Sequence, residues 1–194
     1  VCHDADPVRA AHEYVKSFIG RSGQKCSSAR IGFVHDAVYK RFVMVTLERL
    51  GQIHYGDVKK GADLGAMITA TDRDKLIEQI RQLEGNNLVR TLYKKSIVGG
   101  TGHDFPPTVL EKWNLEHGGA DRLMNTELFG PVSTIVPFSN MGMVEDMCKA
   151  TDFALTGTVF TEDLEMLCYV LNFIPAGNVY WNRKCTGALV EVEC

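Results

Sequence analysis

No CxxC pair, no HxxxH or HxH pair and no regular cysteine spacing occurs in this chain of 194 residues. That excludes zinc ribbons, thioredoxin-type redox motifs and helices that bind metal through paired histidines. The six cysteines, Cys2, Cys26, Cys148, Cys168, Cys185 and Cys194, are scattered. In a domain of this size they read as free thiols in a reducing compartment rather than a disulfide framework. Apolar runs are short and broken by charge, so no stretch reads as a membrane span. There is no Lys/Arg stripe and the net charge is only -3, which removes the electrostatic basis for binding nucleic acid or an anionic membrane. No GxGxxG follows a predicted strand, and residues 99–102 (Gly-Gly-Thr-Gly) lack the Lys-Ser/Thr of a phosphate loop. The first residues have neither a basic n-region nor an apolar h-region, so they are not a signal peptide. Without an initiator Met, Val1 is not expected to be the natural start.

What is present is an ordinary globular composition, long enough for one well-buried domain. Asp6 and Pro7 supply an N-cap and a first helical residue, and Val8, Ala11, Val15 and Phe18 follow at helical spacing, which predicts a helix through about Ile19. His3, Asp4 and Asp6 read as a frayed polar lead into that helix rather than a metal site; no metal is expected. Further helices are predicted from Asp36 as cap, from Thr71 with Leu76, Ile80 and Leu83 inward, over Asn140 to Ala150, and over Glu162 to Phe173. Strands are predicted at Arg30 to His35, Val89 to Val98, Pro107 to Leu110, Val132 to Phe138, Gly157 to Thr161 and Gly177 to Asn182. Residues 51–65 read as a surface crossing and 111–125 as loop. Alternating strands and helices predict an α/β fold, a three-layer sandwich with a mainly parallel sheet, and a single domain over residues 1–194.

Three stretches carry chemistry. Residues 23–30 (Gly-Gln-Lys-Cys-Ser-Ser-Ala-Arg) place Cys26 behind a glycine turn and before small neighbours. A nucleophilic cysteine needs partial exposure and nearby groups that stabilise negative charge, and its own backbone N–H can help hold an oxyanion. On the residues alone, a buried thiol at a loop-to-strand junction is the favoured reading, because no partner base is adjacent. Residues 127–132 (Glu-Leu-Phe-Gly-Pro-Val) form a turn in which Glu127 reads as solvated and Phe129 as core. Residues 177–190 read as strand, turn and small-residue loop, with Thr186, Gly187 and Ala188 an ordinary turn.

Taken together and in this order, the three stretches resemble the catalytic-domain signature of the NAD(P)-dependent aldehyde dehydrogenases, and within them the branch that oxidises glutamate semialdehyde, the 1-pyrroline-5-carboxylate dehydrogenases. The resemblance runs over nearly the whole chain. It implies that Cys26 is the nucleophile, adding to an aldehyde to give a thiohemiacetal whose oxidation yields a thioester for hydrolysis. It implies that Glu127 hydrogen-bonds the nicotinamide ribose and Phe129 packs beside it, and that Ser27, Gly187 and Ala188 anchor the substrate carboxylate. The implied cofactor is NAD, with NADP left open. The implied partners are a small aldehyde and, in the full-length form, further copies of the same chain. Cytosol and mitochondrial matrix both fit.

Two departures modify this. The family's arginine lies five residues after the cysteine, whereas Arg30 lies four after Cys26. A reacting atom displaced by about 1 Å costs roughly 100-fold in rate. The family continues into a glycine-rich Pro-Phe-Gly-Gly stretch where this sequence reads Glu-Val-Glu-Cys at 191–194. The family's general-base glutamate, oxyanion asparagine and dinucleotide fold lie upstream of the nucleophile, and 25 residues are too few to hold them. By itself this chain is expected not to turn over. A non-catalytic remnant that binds a related subunit, and a cofactor-independent thiol hydrolase or acyl carrier, are the alternatives. Selective labelling of Cys26 by iodoacetamide is expected on the catalytic readings.

Overall fold

The computed structural model describes residues 1–96, 102–113, 120–153 and 155–187. In chain order the elements are α1 (Pro7–Ile19), β1 (Ile31–His35), α2 (Asp36–Gly51), α3 (Ala70–Gly85), β2 (Arg90–Lys94), β3 (Thr108–Glu111), α4 (Ala120–Met124), β4 (Val132–Phe138), α5 (Met141–Lys149), β5 (Thr156–Val159), α6 (Leu164–Leu171) and β6 (Asn178–Trp181), with short 3-10 turns at Gly20–Gly23 and Val58–Lys60. The glycine cluster at 99–102 lies, apart from Gly102, outside the described residues.

Capping explains where the helices begin. The Asp6 carboxylate accepts from the N–H of Val8 at 2.8 Å and of Arg9 at 3.3 Å, and Pro7 presets the first turn. Thr69 caps α3 by accepting from Asp72 N–H at 3.0 Å, so the helix begins at Ala70 rather than Thr71. For α2 the cap is His35, whose Nδ1 accepts from Ala37 N–H at 3.1 Å, while Asp36 is already helical and favours the positive end of the dipole. Residues 111–125 depart furthest from expectation. Glu111 belongs to β3, and Ala120–Met124 forms α4, which buries Leu123 and Met124. A helix of five residues is too short to show a period.

The main sheet has the order β1-β4-β3-β2. β4 is parallel to both β1 and β3, and β2 joins the far edge antiparallel. Its residues alternate between two cores. Ile135 faces Ala11, Phe18 and Phe42 of α1 and α2; Val132 and Val136 face Leu76, Leu83 and Leu123 of α3 and α4. Each fully buried side chain of this size contributes about 1.5–3 kcal/mol, so a sheet covered on both faces is the favoured arrangement. The expected three-layer α/β architecture is therefore present, with its sheet hydrogen-bonded in two parts. β5 and β6 form a separate parallel pair. Val1 and Cys2 lie between the parts: Val1 O accepts from His35 N–H, and Cys2 N–H donates to Phe160 O. Among the described residues no helix is long and apolar enough to cross a membrane.

The acidic residues near the start have separate tasks rather than a shared site. Asp6 caps α1, and Asp4 accepts from Thr161 Oγ1 at 2.8 Å and from the N–H groups of Glu162 and Asp163 at 2.7 and 2.9 Å. Burial alone would raise the Asp4 carboxyl; these hydrogen bonds outweigh it and hold the group below its usual range. Asp4→Ala is expected to cost about 1–3 kcal/mol and lower Tm by about 2–10 °C. A carboxyl depressed on folding stabilises above its unfolded value and loses that contribution as pH falls through the folded one. Thermal unfolding of both proteins across pH should therefore show the gap at neutrality and its closure in acid.

Candidate active site

A left-handed run opens the site. Arg21, Ser22 and Gly23 have φ of 53°, 55° and 67°. Two of these are not glycine, so the turn is strained and must be held from outside. Ser22 Oγ donates to Gly65 O at 2.9 Å, and Gln24 Oε1 accepts from Ile68 N–H at 2.8 Å. At Gly23 the close neighbour is Gly130: a Cβ added at Gly23 would sit 1.8 Å from the Gly130 carbonyl oxygen. Two motifs separated by about a hundred residues thus touch backbone to backbone.

The chain then turns tightly over Lys25–Ser28, with Ser28 N–H donating to Lys25 O at 3.0 Å. Cys26 is exposed at the turn, so the buried-thiol reading does not hold. Glu127 is exposed as expected for a solvated carboxylate. Phe129 is 37% exposed, so the expectation of a core side chain fails. Leu128 packs inward instead. Cys26, Glu127 and Phe129 line one cavity of about 390 Å³.

Arg30 ties the two motifs together a second time. Its guanidinium donates to the carbonyls of Leu123 at 2.9 Å and Thr126 at 3.3 Å and lies 4.8 Å over the Phe153 ring. Burial pushes it down to about 10, against the pull of Glu127, which leaves it charged at neutral pH. From the third motif, Gly187 is exposed with φ of 82°, and Thr186 is buried. Ser27 is half-buried beside Cys26, and Ala188 lies outside the described residues.

Cys185 is the neighbour that sequence reasoning passed over. Its N–H donates to Ser17 Oγ at 3.1 Å, and its thiol donates to Ser27 O at 3.3 Å. Ser17 O also accepts from Ala29 N–H at 3.0 Å, so one serine of α1 holds both loops. The available signal was adjacency to Thr186 and Gly187; nothing in the spacing pointed to Ser27.

Thiol reactivity follows from burial. Burial pushes Cys148 up to about 11 and raises Cys2 and Cys185 as well, the last against hydrogen bonds from Ser17 and the charge of Lys25. Cys168 is exposed on α6 alongside Cys26 in its loop. Iodoacetamide at neutral pH is expected to label Cys26 and Cys168 on the order of ten- to a hundredfold faster than Cys2, Cys148 and Cys185. Peptide mass spectrometry reads this directly, and equal rates across these five would contradict the placement. Two thiols, Cys26 and Cys168, are therefore expected to share the fast phase.

The model of the aldehyde dehydrogenase family fits residues 1–193. A 1-pyrroline-5-carboxylate dehydrogenase of Staphylococcus haemolyticus is 29% identical over 98% of the chain, which spans 36% of that relative's length. Among solved structures, the 1-pyrroline-5-carboxylate dehydrogenase from Thermus with bound NAD superposes with a TM-score of 0.85 at 29% identity, covering 97% of this chain and 35% of that one. Proline utilization A from Bdellovibrio bacteriovorus superposes with a TM-score of 0.85 at 32% identity, over 96% of this chain and 19% of its own. With a family match from residue 1 to residue 193 and a fold that superposes on these enzymes along nearly its whole length, the chain belongs to the aldehyde dehydrogenase family.

Proposed function

We propose that this chain is the catalytic-domain portion of an NAD-dependent enzyme that oxidises L-glutamate γ-semialdehyde, in equilibrium with 1-pyrroline-5-carboxylate, to glutamate in proline breakdown. The observation that carries the proposal is the contact of Gly23 with Gly130, which sets the loop bearing Cys26 against the segment bearing Glu127 and Phe129. An exposed thiol, an exposed carboxylate and an exposed aromatic ring then share one cavity.

The residues fit the chemistry. The Cys26 sulfur would add to the aldehyde carbon to give a thiohemiacetal, and its backbone N–H would serve as a donor to the resulting oxyanion. The exposed Glu127 carboxylate suits the two hydroxyls of a ribose, and Phe129 offers a face for packing beside it. NAD, when bound, supplies the hydride acceptor. Gly187 lets the backbone approach the substrate closely, and with Ser27 and Ala188 it is assigned to the substrate's α-carboxylate. The names of the similar proteins from Staphylococcus and Thermus support the substrate, and the bound NAD of the latter supports the cofactor.

Leu164, Tyr169 and Leu171 of α6 and Trp181 of β6 are exposed apolar side chains, which supports an oligomer in the full-length form. The test is an assay of the full-length protein with 1-pyrroline-5-carboxylate and either NAD or NADP. Reduced nucleotide and glutamate should form, with kcat/KM about 10–100-fold above that for propanal, which lacks the anchoring carboxylate. A ratio near one would remove the substrate assignment and leave the family. No reduction of either nucleotide would remove the activity.

A further inference from the structure

We propose that Cys26 and Cys185 are a peroxide-responsive thiol pair, in which oxidised Cys26 is captured by Cys185 as a disulfide. Capture blocks the site reversibly before the sulfur is lost to over-oxidation. The pairing depends on where the two thiols lie and stands apart from the reaction assigned to Cys26.

Geometry brings the two loops together. The Cys185 thiol contacts the carbonyl of Ser27, the residue next to Cys26, at 3.3 Å. Cys185 thus packs against the residue that follows Cys26, and closing a disulfide brings the two Cα atoms to about 4.4–6.8 Å. Ser17 fixes both sides at once, through Ala29 N–H at 3.0 Å and Cys185 N–H at 3.1 Å. Glu13, one helical turn earlier, accepts from Lys184 N–H at 3.0 Å and holds the same segment. Cys26 and Cys185 line the same cavity, as do Cys2 and Cys148, so the pairing rests on the contact of Cys185 with Ser27.

Exposure sets the order of events. Cys26 is exposed and meets an oxidant first; Cys185 is 4% exposed and is kept from it. The Cys26 thiolate attacks one oxygen of hydrogen peroxide, the O–O bond breaks, and hydroxide leaves and takes up a proton as water. Sulfur has given up two electrons and stands as sulfenic acid. The Cys185 sulfur then attacks the Cys26 sulfur, the S–O bond breaks, and the hydroxyl leaves as water with the proton from Cys185. Burial raises the Cys185 thiol, and the charge of Lys25 only partly opposes that rise. Cys2 and Cys148 sit in separate apolar clusters, with α6 and with α5, and Cys168 lies on α6.

The test uses the full-length protein treated with hydrogen peroxide, alkylated and digested with trypsin. Lys25 and Lys184 immediately precede the two cysteines, so the digest releases the peptide Cys26–Arg30 and a peptide beginning at Cys185. The expected product is these two peptides joined, and separated again by dithiothreitol. In Cys185→Ser and Cys185→Ala, the linked peptide should vanish and Cys26 should pass to sulfinic acid, with loss of dithiothreitol-recoverable thiol. Three results in the unmodified protein would each overturn the proposal: Cys26 going to sulfinic acid with no link, Cys26 linked to another cysteine, or a covalent dimer on a non-reducing gel.

Discussion

Cys26→Ala in the full-length protein is expected to lower kcat for aldehyde oxidation by at least about 10³-fold, because loss of a covalent nucleophile removes the step on which the rest depends. Nothing else should move far. The thiol is exposed, and substitutions at exposed positions shift stability by about 0.5 kcal/mol or less. Nucleotide affinity, which the proposal assigns in part to Glu127 and Phe129, should be retained. Cys26→Ser should lose nearly as much, since an unassisted hydroxyl is a far weaker nucleophile than a thiolate. The measurements are steady-state kinetics, thermal unfolding and nucleotide titration on the same preparations. A variant that keeps a tenth of its activity would end the nucleophile assignment.

Gly23→Ala should act through a different link, that from backbone to packing. At φ of 67° an alanine costs about 1–2 kcal/mol, and its Cβ would overlap the Gly130 carbonyl oxygen, 1.8 Å away. Overpacking of that kind adds about 1–3 kcal/mol, and the obstructing atom is backbone, which cannot swing aside as a side chain does. The loop has to move away from the Glu127 segment. Tm should fall by about 5–15 °C, and kcat by about 100-fold as the thiol leaves its place. Gly20→Ala is the control, since a Cβ there meets nothing within 4 Å. Should the two variants melt together, the contact between the motifs does not exist in solution.

What the sequence made legible was local. The cap, the proline and the apolar stripe of α1 give its bounds at Pro7 and Ile19, and the alternation of β4 gives Val132 to Phe138. A competing local signal shifts the start of α2: His35 offers a ring nitrogen as cap one residue before the acidic side chain that is the usual candidate. Segments too short for periodicity, such as α4, left no trace. Glu111 read as polar loop yet is 5% exposed at the end of β3, where Arg90 and the Tyr39 hydroxyl satisfy its carboxylate. A buried charge is recognisable only with its partners, and these lie on other elements. The site divides in the same way. Its motifs could be picked out one by one, along with the resemblance they carry. The contacts of Gly23 with Gly130, Arg30 with Leu123, and Cys185 with Ser27 join residues far apart in the chain, and no spacing rule encodes them.

Ser17 gives α1 a second meaning. Its carbonyl and its hydroxyl hold the two loops on either side of the reactive thiol, eleven residues past the cap at Asp6. A helix turns about 100° per residue, so inserting or deleting one residue between Asp6 and Ser17 would swing the serine a quarter-turn or more and release both loops together. The helix is a ruler as well as a wall of the core. A change of one residue in its length is expected to disturb both loops at once, while the crossing between α2 and α3 is held to the Cys26 loop by hydrogen bonds at Gly65 and Ile68.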